Sequence, residues 1–338
     1  MAEASLVDEL GQLAQEHGSG LSLRRLAAAG LDRIPTPASG HTLLRWRMLS
    51  EVAARDLSLA KVYEGHTDAL AILAELNGPE PQVQSLWGTW CAEPPDARLL
   101  ILESGTTRVR LSGRKAWCSG AADVSHAIVS GWTEDGKPWL AAVALQQAGV
   151  KVTEEGWPAV GMAKSGSVDV FFEDAEALAV GRPGDYVSRP GFWHGGAGIA
   201  ACWQGGAMGI GRTVKARCNA SSDAHRLAHL GAIDAALCAS SALLRETASW
   251  IDAHPGENAH AVAMRARLAV EQAALEVLAH AGRALGAGPL CRDEKLSRAV
   301  ADLPIYLRQS HAERDLESLG RLACEATAEQ ATERGWTL

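Results

Sequence analysis

The feature that most constrains this chain is a double change of hydrophobic period along its length. Up to about residue 84 the apolar residues fall at helical spacing. Leu6, Leu10 and Leu13 mark one buried face. The longest periodic segment runs from about Thr42 to Leu76 through Leu44, Met48, Val52 and Leu59, with an interruption expected at Glu64-Gly65-His66. Asn77-Gly78-Pro79 ends it, because Gly suits a helix C-terminus and Pro cannot extend one. From residue 85 to about 182 the pattern shortens to strand-like runs between Gly, Pro and Asp: 107–111, 127–130, 139–143 and 168–172. Glu134-Asp135-Gly136-Lys137 suits a hairpin turn, since Asp-Gly tolerates positive φ. From about Gly195 the helical period returns, with Leu227, Leu230, Ile233, Leu237 and Leu244, then Leu296, Val300, Leu303 and Leu307. Breakers fall at His254-Pro255-Gly256 and Gly286-Ala-Gly-Pro289, so long helices with short connections should pack as a bundle. The expected organisation is α+β: N-terminal helices over 1–84, a middle β-barrel or sandwich module over 85–185, and a C-terminal four-helix bundle over 186–338.

Composition supports several packed modules. The 338 residues exceed what one ordinary core serves, and 47% are hydrophobic against 21% charged, so a sizeable core can form. The net charge of −8 argues against a nucleic-acid surface. No apolar run reaches about 18 residues, so no membrane span is expected. The start, Met1-Ala-Glu-Ala-Ser-Leu-Val-Asp8, has no basic stretch leading into an apolar one, and no signal peptide is expected. Seven scattered cysteines without a Cys-x-x-Cys pair suit buried fillers in a reducing, cytoplasmic setting, with no zinc site or disulfide framework.

The densest motif is Leu111-Ser-Gly-Arg-Lys-Ala-Trp-Cys-Ser-Gly-Ala-Ala-Asp123, between two strand-like runs and ahead of the long helices. On a regular strand Trp117 and Ser119 point to the same face. One strand would then offer an indole and a hydroxyl to one ligand, with Cys118 between them and small residues where a flat ring can approach. With the order of elements, this stretch resembles the flavin-contact strand of the acyl-CoA dehydrogenase superfamily. Ser167-Val-Asp-Val-Phe-Phe-Glu-Asp174 resembles that family's strand leaving the β module, and Asp302-Leu-Pro-Ile-Tyr306 with the run that follows resembles its C-terminal helix beside the flavin. The resemblance implies FAD, held by Trp117, Cys118, Ser119 and Arg217. It also implies hydride transfer to flavin N5 from a small-molecule substrate, a CoA thioester in most of the family, and a homo-oligomer (dimer or tetramer).

The sequence departs from that family where its chemistry is carried. Removing an α-proton requires a fixed carboxylate. The two C-terminal registers place Ser310 or Leu307 at the family's Glu, and residues 203–218 contain no Asp or Glu. Glu313 and His311 are the candidates for a displaced base. The family's Thr-Glu-Pro-Gly loop is reduced to Cys91-Ala92-Glu93-Pro94-Pro95-Asp96, and its Arg-x-x-Phe-Gly turn to Arg217-Cys-Asn-Ala-Ser-Ser-Asp-Ala-His225. Its Gln-x-x-Gly-Gly element becomes His280-Ala-Gly-Arg-Ala-Leu-Gly286. Two other readings keep the fold: a flavin-dependent monooxygenase, which needs no α-proton base, and a catalytically lapsed, non-enzymatic homologue. Arg189-Pro-Gly-Phe-Trp-His-Gly-Gly-Ala-Gly198 suggests a substrate pocket, with Trp193 as an aromatic wall and His194 as a titratable group. No metal-ligand spacing, Gly-x-Gly-x-x-Gly after a strand, or Gly-x-Ser-x-Gly elbow occurs.

Overall fold

The computed structural model describes residues 3–103, 107–325 and 336. Four helices come first: α1 (Glu3–His17), α2 (Leu23–Ala28), α3 (Thr42–Ala53) and α4 (Leu57–Glu75). The chain does not break at Glu64-Gly65-His66; α4 runs through it. The break lies between α3 and α4, where the Asp56 carboxylate accepts from the Leu59 amide at 2.9 Å and caps α4. β1 packs against the helix at Gly65, whose carbonyl accepts from the Thr89 hydroxyl at 2.7 Å.

Seven strands follow: β1 (Trp87–Trp90), β2 (Leu99–Glu103), β3 (Arg108–Cys118), β4 (His126–Trp132), β5 (Pro138–Ala144), β6 (Val150–Val152) and β7 (Val168–Val180). The sheet order is β1-β4-β2-β3-β7-β5, and β5 also pairs with β4, which closes the sheet into a barrel. The hairpin turn forms as its Asp-Gly indicates: Trp132 faces Pro138, and Gly136 has φ +79°. β3 and β7 pair antiparallel with two register shifts, one of them between Lys115 and Cys118.

The remaining helices are α5 (Asp185–Ser188), α6 (Gly191–Ala216), α7 (Ala224–Ala253), α8 (His260–Leu285), α9 (Ala287–Arg292), α10 (Glu294–Tyr306) and α11 (Glu313–Glu325). N-terminal helices, a closed β module and a helix-rich C-terminal region make up the expected architecture. α7 is long and apolar enough by length and composition alone to cross a membrane, contrary to the expectation that no segment would be. It packs along α6 and α8 and carries Asp234, Arg245, Glu246 and Asp252.

One core runs through all three parts, and a smaller one fills the gap between α4 and the barrel. α4 is pinned to the barrel by His66, fully buried, whose Nδ1 accepts from the Trp87 amide at 3.0 Å. The ring proton therefore sits on Nε2, 3.2 Å from the Asp32 carboxylate. α3 and α6 approach closely at two glycines. A Cβ at Gly205 would collide with the Ser50 carbonyl, and one at Gly209 would lie 2.5 Å from the Ala54 carbonyl. Gly205→Ala should therefore destabilise the protein by about 1–3 kcal/mol and lower its Tm. Gly231→Ala, on the exposed side of α7 with no atom near its new methyl, should leave Tm unchanged or raise it. Thermal unfolding of both variants checks the pair.

Candidate functional site

A cavity of about 1330 Å³ opens where the N-terminal helices, the barrel and the bundle meet. Its barrel wall comes from the end of β3. Between Lys115 and Cys118 the strand carries a bulge against β7, and Trp117 takes φ +57°, a conformation rare for a bulky residue. The bulge returns the Cys118 side chain to the core, fully buried, and swings Trp117 out, 49% exposed, into the cavity lining. Ser119 lies beyond the end of the strand in a turn, where its amide donates to the Trp117 carbonyl at 2.9 Å. Trp117 and Ser119 thus line one cavity, but by a bulge and a turn rather than by regular alternation. Cys118 does not join them: its thiol is a core group whose pKa burial pushes far up. Its expected part in cofactor binding is corrected on that ground.

The Ser119 hydroxyl continues into a short chain. It lies 2.7 Å from the Ser167 hydroxyl, which lies 2.8 Å from that of Ser165. All three serines line the cavity, together with Trp157. Behind them Lys115, 1% exposed, donates to Ser130 at 2.8 Å and forms a short ion pair with Glu93. Glu93 also accepts from the Trp132 indole at 2.9 Å. The altered loop at Ala92-Glu93 therefore lines the cavity and is tied to β3 and β4.

The pocket expected near Trp193 and His194 belongs to the same cavity. Gly195 to Gly198 lie inside α6 rather than in a loop, and the Gly196 carbonyl accepts from Arg267 at 3.0 Å. Trp193 stacks on His260 at 3.9 Å between centroids and meets Phe192 edge-on. His194 is 2% exposed; burial pushes its pKa down, and its Nε2 has no hydrogen-bond partner. It is therefore a neutral imidazole at neutral pH. Nearby, Arg189 pairs with Glu75 and stacks over Tyr186 at 5.3 Å, leaving its Nε unpartnered.

The two expected displaced bases separate. His311 lines the cavity, with Nδ1 3.4 Å from Asp315. Glu313 opens α11, exposed and outside the lining, because the helix that starts there turns it to solvent. Asp315, two residues on, faces the cavity instead; it accepts from the His311 amide at 3.0 Å and lies 4.0 Å from Arg267. Arg217 lies outside the cavity as well, at the end of α6, donating to Asp293 at 2.5 Å and to the Thr213 carbonyl.

Sequence patterning missed the most charged part of the wall. Lys61, Glu64 and Asp68 project from one face of α4 into the cavity. Lys61 pairs with Glu64 at 2.7 Å, and Arg45 with Asp68 at 2.7 Å. Burial, with Glu64 adding to it, raises Asp68 to about 7. The available signal was three ionisable residues at i, i+3 and i+7 on an otherwise apolar helix, a pattern that places charge on a buried face. Among the described residues, no group of three or more His, Cys, Asp or Glu could hold a metal ion.

No family model matches the sequence, and no curated protein matches it. Solved structures do. KijD3 in complex with FMN and dTDP-3-amino-2,3,6-trideoxy-4-keto-3-methyl-D-glucose aligns over 99% of this chain and 97% of its own, with TM-score 0.78 and 19% identity. TdsC from Paenibacillus sp. A11-2, a dibenzothiophene monooxygenase, in complex with FMN and indole aligns over 94% and 96%, with TM-score 0.79 and 17% identity. Methanesulfinate monooxygenase MsuC from Pseudomonas fluorescens aligns over 95% of each chain, with TM-score 0.75 and 20% identity. The chain thus has the acyl-CoA dehydrogenase-like fold that the motif strand implied. The expectation of FAD is overturned: the KijD3 and TdsC complexes hold FMN, and the arginine expected at FAD phosphates is tied to Asp293 away from the cavity. The expectation of an acyl-CoA dehydrogenase is corrected with it, since TdsC and MsuC are monooxygenases.

The Lys115–Glu93 pair yields a stability prediction. Lys115→Met should lower unfolding free energy by about 1–2 kcal/mol, because it removes the charge-assisted bonds to Ser130 and to the accessible Glu93 carboxylate. The double variant Lys115→Met, Glu93→Gln should recover part of that loss in denaturant titrations.

Proposed function

We propose that the chain is an FMN-dependent monooxygenase acting on a small organic substrate. The observation that carries this reading is the half-exposed Trp117 indole, turned into a cavity larger than the ~300–1,000 Å³ that holds one small ligand. That volume suits a flavin and a substrate together. The residues present fit a flavin: a free aromatic face in Trp117, a second indole in Trp157, and the linked hydroxyls of Ser119, Ser167 and Ser165 as donors to ring or ribityl oxygens. The monooxygenases of the same fold support the reading, and so does the absence of a carboxylate at Ser310 and Leu307, which a dehydrogenase would need.

Bound FMN, once reduced, would supply the electrons with which one oxygen atom of O₂ enters the substrate and the other leaves as water. The protein's part is to position and to exclude solvent. Trp117 holds the ring plane, and the bulge keeps the indole from turning back into the barrel core. Trp193, Phe192 and Tyr186 give the substrate an apolar wall, and the buried His194 packs within it. Closure of this space to bulk water favours transfer of oxygen to the substrate over its loss as peroxide.

The test is a binding titration followed by turnover. The purified chain should bind FMN and, with reduced FMN and O₂, oxygenate a small substrate. Trp117→Ala should weaken FMN by about tenfold, the equivalent of ~1–1.5 kcal/mol of stacking, while keeping the far-ultraviolet spectrum of the folded protein. A chain that takes up no FMN, or a Trp117→Ala variant that binds it as tightly, contradicts the proposal.

A further inference from the structure

We propose that the outer face of α7 is an interface between two copies of this chain, packed antiparallel about a two-fold axis near Ala239 and Ser240. The inference does not depend on what the cavity binds. α7 is 30 residues long and holds an apolar 18-residue stretch, yet only 17% of that stretch is buried within the chain. Its inner side, through Ile233, Ser240, Leu244, Thr247 and Ile251, packs on α6 and α8. The opposite side carries Ala235, Cys238, Ala239 and Ala242, all exposed. A helix face this apolar and this bare has the character of an interaction surface.

Two charges on that face choose the occupant. Asp234 and Arg245 are both exposed, and neither has a hydrogen bond or an ion pair among the described residues. They stand eleven residues apart, which is three turns plus about 20°, so they share one edge of the face about 16 Å apart along the helix. A second α7 laid antiparallel, with the two-fold axis at their midpoint, sets Asp234 beside the partner's Arg245 and Arg245 beside the partner's Asp234. The two-fold keeps each edge of the face on its own side, so both ion pairs form together. A parallel pair would set each charge against its own like, which repulsion disfavours. Between the two ion pairs the small side chains at 235, 238, 239 and 242 let the helix axes approach to about 8 Å.

Other occupants fit this face less well. A lipid surface would gain little apolar area from Ala and Cys, and Asp234 with Arg245 would have to approach the hydrocarbon unpaired. An unrelated protein would need the same two charges at the same spacing in reverse order; a second copy has them by identity. Two further charged residues of α7 are engaged within the chain, Arg226 with the Ala284 carbonyl and Asp252 with Gly40 and Thr42. Glu246, about 100° round the helix from Arg245, falls at the opposite edge, in the polar rim that such contacts keep.

The experiment is sedimentation velocity on the full chain over a concentration series. The wild type should associate. Arg245→Asp and Asp234→Arg, each alone, should weaken that association by about tenfold or more, because each sets like charges together twice. The double variant Asp234→Arg, Arg245→Asp restores both pairs and should associate as the wild type does. All three should keep the far-ultraviolet spectrum of the folded protein. A second measurement uses the exposed Cys238, which lies beside the two-fold axis in both copies: a short bismaleimide should join two chains through it, and Cys238→Ser should prevent this while the exposed Cys291 and Cys324 remain. A wild type that sediments as a monomer at every concentration overturns the inference, and if that monomer floats with phosphatidylcholine–phosphatidylglycerol vesicles the face belongs to lipid instead. An oligomer indifferent to both charge reversals overturns it too, as does a charge-swapped variant that stays apart. If a reversal variant misfolds, the cross-link decides the matter, and an associated wild type that Cys238 does not join overturns the inference.

Discussion

A single bulge sets the character of the barrel wall. Where β3 passes Lys115 it gains one residue that β7 does not match, and Trp117 adopts a left-handed backbone to accommodate it. Such a conformation costs a bulky residue on the order of 1–3 kcal/mol and persists only where its surroundings impose it. Here they do. Lys115 is anchored by Glu93 and Ser130, Cys118 is sealed in the core, and the Gly120 amide donates to the Ser165 carbonyl at 2.7 Å. With both ends of the bulge fixed, the indole between them has only the cavity to turn into. The aromatic floor, the hydroxyl chain that begins at Ser119 and the cavity's opening toward the bundle all follow from that constraint.

α4 adds charge to the same cavity. α4 is bound to the barrel through His66 and to the bundle by its apolar faces, yet it carries Lys61, Glu64 and Asp68 into the same space. Buried ions are retained only with partners, and each of these has one. The cavity therefore joins an aromatic surface suited to a flat ring with a wall of paired charges. Both line one cavity, which makes it the candidate site.

Most of the fold could be read from periodicity. The switch from helical to strand spacing and back marks the three parts, and Asp135-Gly136 marks its hairpin. The Asp56 cap between α3 and α4 was misplaced at Gly65, because a glycine inside a helix and one ending it look alike until the strand packed on it is known. The site was legible only in part. Trp117, Ser119, Trp193, His194 and His311 all line the cavity. Cys118 does not, since alternation along a strand cannot register a bulge, and Glu313 does not, since helix phase after the turn at Leu307–Gln309 is not fixed by local sequence. Asp68 is legible only as the last of three ionisable residues at i, i+3 and i+7 on α4, and its partner Arg45 lies on another helix. The cofactor was read from the resemblance rather than from the residues, and it was there that the reading needed correcting.

The most direct test of the account is a crystal structure of the chain grown with FMN. The isoalloxazine should lie with one face on the Trp117 indole and its polar edge toward Ser119, Ser165 and Ser167, leaving open cavity between the ring and Asp68. A flavin bound elsewhere on the protein, with Trp117 still facing an empty cavity, would contradict the account at its root.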